Sequence, residues 1–160
     1  MNKVAIRTAG LSDALGFLET LNASIRGVAS ADYPPEIIES WSIPIGPKSL
    51  SRYADNPEGE LRILAEIGGQ VVGIAATVLK TCELRACYVA PNGLRRGVGT
   101  ALVQELERIA KAEGLEHFHL AGTITAEPFY NALGYASLQR VDTPTRGGLM
   151  MAAIKMTKQF

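Results

Sequence analysis

The chain has 160 residues, 47% of them hydrophobic and 20% charged, which is the length of one domain with an ordinary globular balance. Sixteen basic side chains offset sixteen acidic ones, so bulk charge argues against a nucleic-acid or membrane-surface partner. No stretch is apolar for long enough to form a signal core or span a bilayer, and the expectation is a cytoplasmic protein with one domain over residues 1–160.

In chain order, Met1 to Lys3 runs directly into a strand over 4–8. Ser12 or Asp13 then caps a helix through about Arg26, with Leu11, Ala14, Leu18, Leu21 and Ile25 on one stripe. A second, short helix opens on prolines between Tyr33 and Trp41. Residues 42–57 carry clusters of Pro, Gly, Ser and Asn and read mainly as loop, with one helical turn near 48–53. Strands at 61–67 and 71–79 flank Gly68 and Gly69, the clearest hairpin signal in the chain. A further strand covers 82–89, where parity sets Glu83, Arg85, Cys87 and Val89 on one face. Cys82 and Cys87 are the only cysteines. Five positions apart on that strand, they face opposite ways and cannot pair with each other. The main helix covers 100–113, with Leu102, Leu106, Ile109 and Ala110 inward and Gly114 as its stop. A strand at 115–121 is followed by a short helix with Thr125 as its cap, Pro128 in its first turn and Gly134 as its end. Strands at 136–141 and 149–156 complete the chain.

The most informative stretch joins the strand at 82–89 to the main helix. Arg95, Arg96, Gly97, Val98, Gly99 and Thr100 form a glycine-rich loop that feeds a helix start at once. Such a loop leaves several backbone N–H groups unpaired at the positive end of a helix dipole, a ready anion site. The two arginines add fixed charge. A nucleotide P-loop is excluded because no Lys-Ser or Lys-Thr pair follows the glycines. A dinucleotide fingerprint is excluded because Leu102 stands where a third glycine or alanine is needed. The pattern Arg/Gln-x-x-Gly-x-Gly/Ala fits Arg96, Gly99 and Ala101, and it resembles the acetyl-coenzyme A loop of the GCN5-related N-acetyltransferase (GNAT) family. Phe129, Tyr130, Leu133, Gly134 and Tyr135 resemble that family's second signature, with a helix and a strand between the two as the family requires.

The resemblance implies an α/β (α+β) fold: a mixed, twisted sheet of about six to seven strands, helices on both faces, and a central V-shaped splay between the strands at 82–89 and 115–121. It implies acetyl-CoA as co-substrate, no metal, and direct attack of an amine on the thioester. By the same resemblance, backbone groups around Tyr88 and Val89 hold pantetheine and polarise the thioester carbonyl, and those from Arg96 to Thr100 hold the pyrophosphate. Leu94 departs from the family, which commonly has Gln or Arg there; Asn131 is a further coenzyme contact.

The reaction needs a donor for the departing thiolate and a base for the amine, whose ammonium form prevails at neutral pH with a pKa of ~10. Tyr130 matches the family tyrosine beside the coenzyme sulfur. Glu83 matches a strand glutamate that acts as base in some relatives, against the alternative of an ion pair with Arg85. His119, with His117 two positions before it, is the remaining base candidate and a candidate acceptor contact. On the acceptor side, Arg26 suits a carboxylate, and Tyr33 and Trp41 suit an apolar wall. The expected acceptor is a small-molecule amine such as an amino acid or related metabolite; the alternatives are a protein N-terminus or lysine, or a degenerate acyl-CoA-binding regulator. A homodimer is left open.

Overall fold

A computed structural model describes residues 3–160; Met1 and Asn2, where the first strand's lead-in begins, lie outside the described residues. The strands are β1 (Val4–Thr8), β2 (Leu61–Ile67), β3 (Gln70–Val78), β4 (Glu83–Val89), β5 (His117–Thr123), β6 (Ala136–Pro144) and β7 (Met150–Gln159). The helices are α1 (Ala14–Gly27), α2 (Pro35–Trp41), α3 (Pro47–Asp55), α4 (Val98–Ala112) and α5 (Glu127–Ala132). One seven-stranded sheet runs β1-β2-β3-β4-β5-β7-β6. Its neighbours are antiparallel except β4 and β5, which are parallel and pair at a single position, Glu83 opposite His119. Beyond that point the two strands diverge.

The central strands are buried on both faces, so β2 and β3 read as continuous apolar runs and not as alternating ones. On one face α4 sets Leu102, Val103, Leu106 and Ala110 against Ile63, Ala65, Leu84 and Phe118. Burial of a leucine of this kind contributes roughly 1.5–3 kcal/mol. On the other face, Phe17 of α1 and Tyr53 of α3 pack on Leu64 and Ile74, while Ile25 of α1 and Ile38 of α2 form an adjoining cluster. A buried ion pair ties α4 to the last strand: Glu107 accepts from Lys158 Nζ at 2.9 Å and from the Tyr135 hydroxyl at 3.0 Å.

Four expectations change. Residues 47–55 form a full helix and not one turn in a loop: Pro47 occupies its first position, Ser49 Oγ accepts from the Gly46 N–H at 3.0 Å, and left-handed Asn56 ends it. The cap of α5 is not Thr125. Thr123 Oγ1 accepts from the Ala126 N–H at 3.1 Å and marks the turn into that helix. Cys82 lies outside the strand, in a left-handed conformation (φ 54°) ahead of β4. Finally, β4 carries a bulge: Ala76 pairs with Ala86 but Thr77 pairs with Leu84, so Arg85 has no partner of its own. The extra residue shifts the parity of Glu83 relative to Cys87 and Val89. Leu84, Cys87 and Val89 accordingly all belong to the α4-side cluster, and Glu83 does not share their face.

Candidate active site

The divergence of β4 and β5 opens the sheet itself. Ala90 donates its N–H to Val72 O at 2.9 Å, on the β3 side. By strand alternation, the peptide groups of Val89 and Cys87 point the other way, into the gap where β5 would have paired with them. The N–H and C=O of Tyr88 point to β3, so Tyr88 reaches the gap with its side chain only. A cavity of about 370 Å³ fills this opening and passes between α1 on one face and α4 with α5 on the other. Tyr88, Val89, Leu94, Arg95, Gly97, Val98, Gly99, Thr100 and Tyr130 all line it, as does Trp41.

At its phosphate end the loop has the geometry expected of an anion site. Gly97 caps α4 with φ 75°, a left-handed value that favours glycine, and open space lies where its β-carbon would be. Ala101 is the first residue of the helix to bond back, to Gly97 O at 3.0 Å, which leaves the N–H groups of Val98, Gly99 and Thr100 without intrahelical acceptors. Arg95 is itself left-handed (φ 57°), and Arg96 reaches Asn92 O at 3.5 Å; both side chains are exposed. Gly99 is needed for a different reason from open approach to a phosphate. A β-carbon there would lie 3.1 Å from the Phe129 ring and 3.6 Å from Val89.

The other end of the cavity is mainly apolar, with the hydroxyls of Tyr130 and Thr125 on its wall. Tyr130 is buried, and its hydroxyl makes no hydrogen bond among the described residues. Burial, reinforced by Cys87 and Tyr88, raises its pKa well above the usual phenol value, so it stays protonated across the physiological range. Burial also pushes the Cys87 thiol and the Tyr88 phenol up to about 12 each. Thr125 Oγ1 is wholly buried and has no partner among the described residues, and Thr125 lines this cavity. An orphan hydroxyl of this kind fits a ligand rich in amides. Cys87 and Thr125 carry no sequence signal as lining residues, because no periodicity marks which residues border a gap.

The other residues singled out in sequence fall elsewhere. Glu83 Oε2 accepts from Arg85 at 2.9 Å at the closed end of the splay and borders no cavity. His119 donates its Nε2–H to Thr81 O at 2.8 Å, also at that closed end. Arg26 is exposed and ion-paired with Glu39 at 2.9 Å. Tyr33 is a buried brace: its hydroxyl donates to Ala152 O at 2.6 Å and accepts from the Ile124 N–H at 2.9 Å. Asn131 accepts from Ser137 Oγ at 3.3 Å and lies off the cavity wall. No group of three or more His, Cys, Asp and Glu comes together among the described residues.

A second cavity, about 310 Å³, lies on the α1–α3 side of the sheet and shares Trp41, Arg85, Ala86 and Tyr88 with the first. Its walls combine apolar groups from α1 with Arg62, Glu58, Glu60 and Arg146. Arg62 stacks on the Tyr53 ring at 4.1 Å and pairs with Glu60 at 2.8 Å. Arg85 pairs with Glu58, with Glu83, and with Glu60 at 3.7 Å.

A splayed strand pair beside a helix start with free N–H groups defines a class of protein that grips a long, amide-bearing and phosphate-bearing carrier in the middle of its sheet. The model of the acetyltransferase (GNAT) family matches residues 24–135, and the chain belongs to that family. Acetyl-CoA is accordingly the acetyl donor, used as a co-substrate. Among solved structures, the chain resembles a GCN5-related N-acetyltransferase (Aminotransferase, Class-II) from Rhodopseudomonas palustris at 28% identity. The TM-score is 0.89, over 100% of this chain and 98% of that one. The PaiA N-acetyltransferase of Thermoplasma acidophilum, solved in complex with coenzyme A, shares the fold at 20% identity and a TM-score of 0.76 over 99% of each chain. The ribosomal-protein-alanine N-acetyltransferase of Brucella melitensis does so at 19% and 0.72, over 98% of this chain and 99% of that one. No curated protein matches the sequence. No helix among the described residues is long and apolar enough to cross a membrane.

Proposed function

We propose that this protein transfers the acetyl group of acetyl-CoA to the primary amine of a small molecule by direct attack. The observation that carries the reading is the adjacency of the two cavities, which share Trp41, Arg85, Ala86 and Tyr88 as lining. A thioester held in the splay would meet an amine entering from the α1–α3 side. Both cavities are of small-molecule size, about 370 and 310 Å³.

In this reading Val89 and Cys87 offer their free peptide groups to the donor, and the Val89 N–H polarises the thioester carbonyl. Val98, Gly99 and Thr100 donate to the pyrophosphate, with Arg95 and Arg96 neutralising charge from outside. The amine nitrogen forms a bond to the acetyl carbon, the carbon–sulfur bond breaks, and Tyr130 donates a hydrogen bond or a proton to the departing thiolate. Its raised pKa suits donation and excludes a role as base. The ammonium proton leaves on the acceptor side, where Glu58 and Glu60 border the cavity; Glu83 communicates with it only through Arg85.

The test is a panel of primary amines in an assay that follows free thiol release from acetyl-CoA. Acceptor-dependent release with small amines supports the reading. Transfer only to peptides, or coenzyme binding with no transfer to any amine, overturns it.

A further inference from the structure

The charges around the second cavity do not cancel. Glu58, Glu60 and Glu83 are spoken for by Arg52, Arg62 and Arg85: Arg52 pairs with Glu58 at 3.1 Å, Arg62 with Glu60, and Arg85 with all three carboxylates. The fourth guanidinium on the wall, Arg146, has no ion pair or hydrogen bond among the described residues. A cation left over at the mouth of an otherwise neutralised, half-apolar cavity is a recognition element when its position is fixed.

It is fixed. Arg146 lies in the turn between β6 and β7, and that turn is docked on the end of α2 next to Trp41. Ser40 and Thr145 share a hydroxyl hydrogen bond of 2.5 Å, the Gly147 N–H donates to Ser40 O at 2.9 Å, and Thr145 is buried. Within the turn, the Thr145 N–H donates to Leu149 O at 2.7 Å and Thr145 Oγ1 accepts from the Leu149 N–H at 3.1 Å. Gly147 sits so tightly on Ser40 that a β-carbon would collide with its hydroxyl and lie 3.1 Å from its carbonyl oxygen. The turn is therefore pinned on both sides of Arg146.

We infer that the second cavity takes an amine acceptor bearing a carboxylate, that Arg146 binds this carboxylate, and that Trp41 with Phe17, Leu18 and Leu21 receives an apolar body. The acceptor class is thus an amino acid or a close relative with an apolar side chain. Arginine is suited to the task because its planar fork meets both carboxylate oxygens. This rests on the acetyl-transfer reading for the identity of the bound molecule as an acceptor, and on geometry alone for its carboxylate.

Trp41 is the only tryptophan in the chain and borders the cavity, so its fluorescence reports binding without turnover. N-acetyl-L-phenylalanine and its carboxamide are titrated against the wild type, Arg146→Gln and Arg146→Lys. The expected result is about ten- to hundred-fold tighter binding of the acid by the wild type. That preference collapses toward unity in Arg146→Gln and is partly kept in Arg146→Lys. Equal binding of acid and amide by the wild type, binding of neither, or an acid preference that survives in Arg146→Gln overturns the inference. A parallel thiol-release assay with L-phenylalanine and L-phenylalaninamide separates the two claims. Acid-selective binding without acetylation of either leaves the carboxylate site standing and defeats the transfer reading; equal acetylation of both does the reverse.

Discussion

The two cavities that meet at Trp41 and Tyr88 are built in opposite ways. The coenzyme side is made of backbone: the N–H groups of Val98, Gly99 and Thr100, and the unpaired edge of β4 at Cys87 and Val89. The acceptor side is made of side chains drawn from α1, α2, α3, the segment before β2, the bulge of β4 and the β6–β7 turn. A backbone site needs particular local conformations, so it forces glycines and a helix start into one short stretch. A side-chain site needs only that distant residues arrive together. On the proposed reading, the first kind serves the donor whatever the acceptor, and the second selects the amine.

Substitutions sharpen the contrast. The largest effect is expected at Gly99→Val. Its branched side chain must displace Phe129, and calorimetry should show no acetyl-CoA binding, whereas Gly97→Ala, which has room, should remain folded and bind measurably. Wild-type affinity in Gly99→Val would break the assignment of a backbone-built site. Next is Tyr130→Phe, which should keep coenzyme binding and lower kcat on the order of 10²-fold with any good acceptor. An unchanged kcat would make Tyr130 a packing residue. A smaller effect belongs to Gly147→Ala. Lifting the turn from Ser40 should raise the acceptor KM roughly ten-fold, the loss of about 1.4 kcal/mol, while KM for acetyl-CoA holds. Equal changes in both constants would show that the two sides are not separable. The smallest is a control at Asp13, which lines neither cavity. Hydrogen bonds from Arg7 and from the Gly10 N–H hold Asp13 down at about 2 against an ordinary 3.8. A depressed carboxylate contributes stability above its ordinary pKa and loses it as pH falls toward 2. Asp13→Asn should therefore cost only about 0.5 kcal/mol at neutral pH, by chemical denaturation, and the difference should vanish near pH 2 without touching either KM.

The same contrast explains what was legible in the sequence. The hairpin at Gly68 and Gly69, the stripe of α4 and the Phe129–Tyr135 string are local patterns, and all three correspond to elements of the sheet-and-helix frame. The helix α3 was hidden because Pro47 and Ser49, which look like loop residues, serve as its start. Thr125 resembles a cap by its place ahead of Pro128, but α5 starts from Ala126 without a side-chain cap, and Thr123 bonds only the turn before it. The bulge at Arg85 defeated parity: one extra residue moves Glu83 off the face of Cys87, and no pattern in a single strand announces where its neighbour is shorter. Arg26 was chosen for the acceptor because it precedes Tyr33 and Trp41 in the chain, yet α1 turns it outward to Glu39. Arg146, more than a hundred residues from Trp41, had no sequence signal at all.

The lone rung between β4 and β5, Glu83 opposite His119, also divides the molecule mechanically. One block is the antiparallel run β1 to β4, the other is β5, β7 and β6, and between them the sheet has almost no hydrogen bonds of its own. Amide hydrogen exchange should reveal this as fast-exchanging positions at Cys87 and Val89 in the middle of an otherwise protected sheet. A bound chain of amides would supply the missing rungs. The coenzyme then acts as a structural strand as well as a reactant, and at a hundred times its dissociation constant it would add about 2.7 kcal/mol to the joining of the two blocks. Once the product leaves, the protein would be at its loosest along the seam where the next donor must enter.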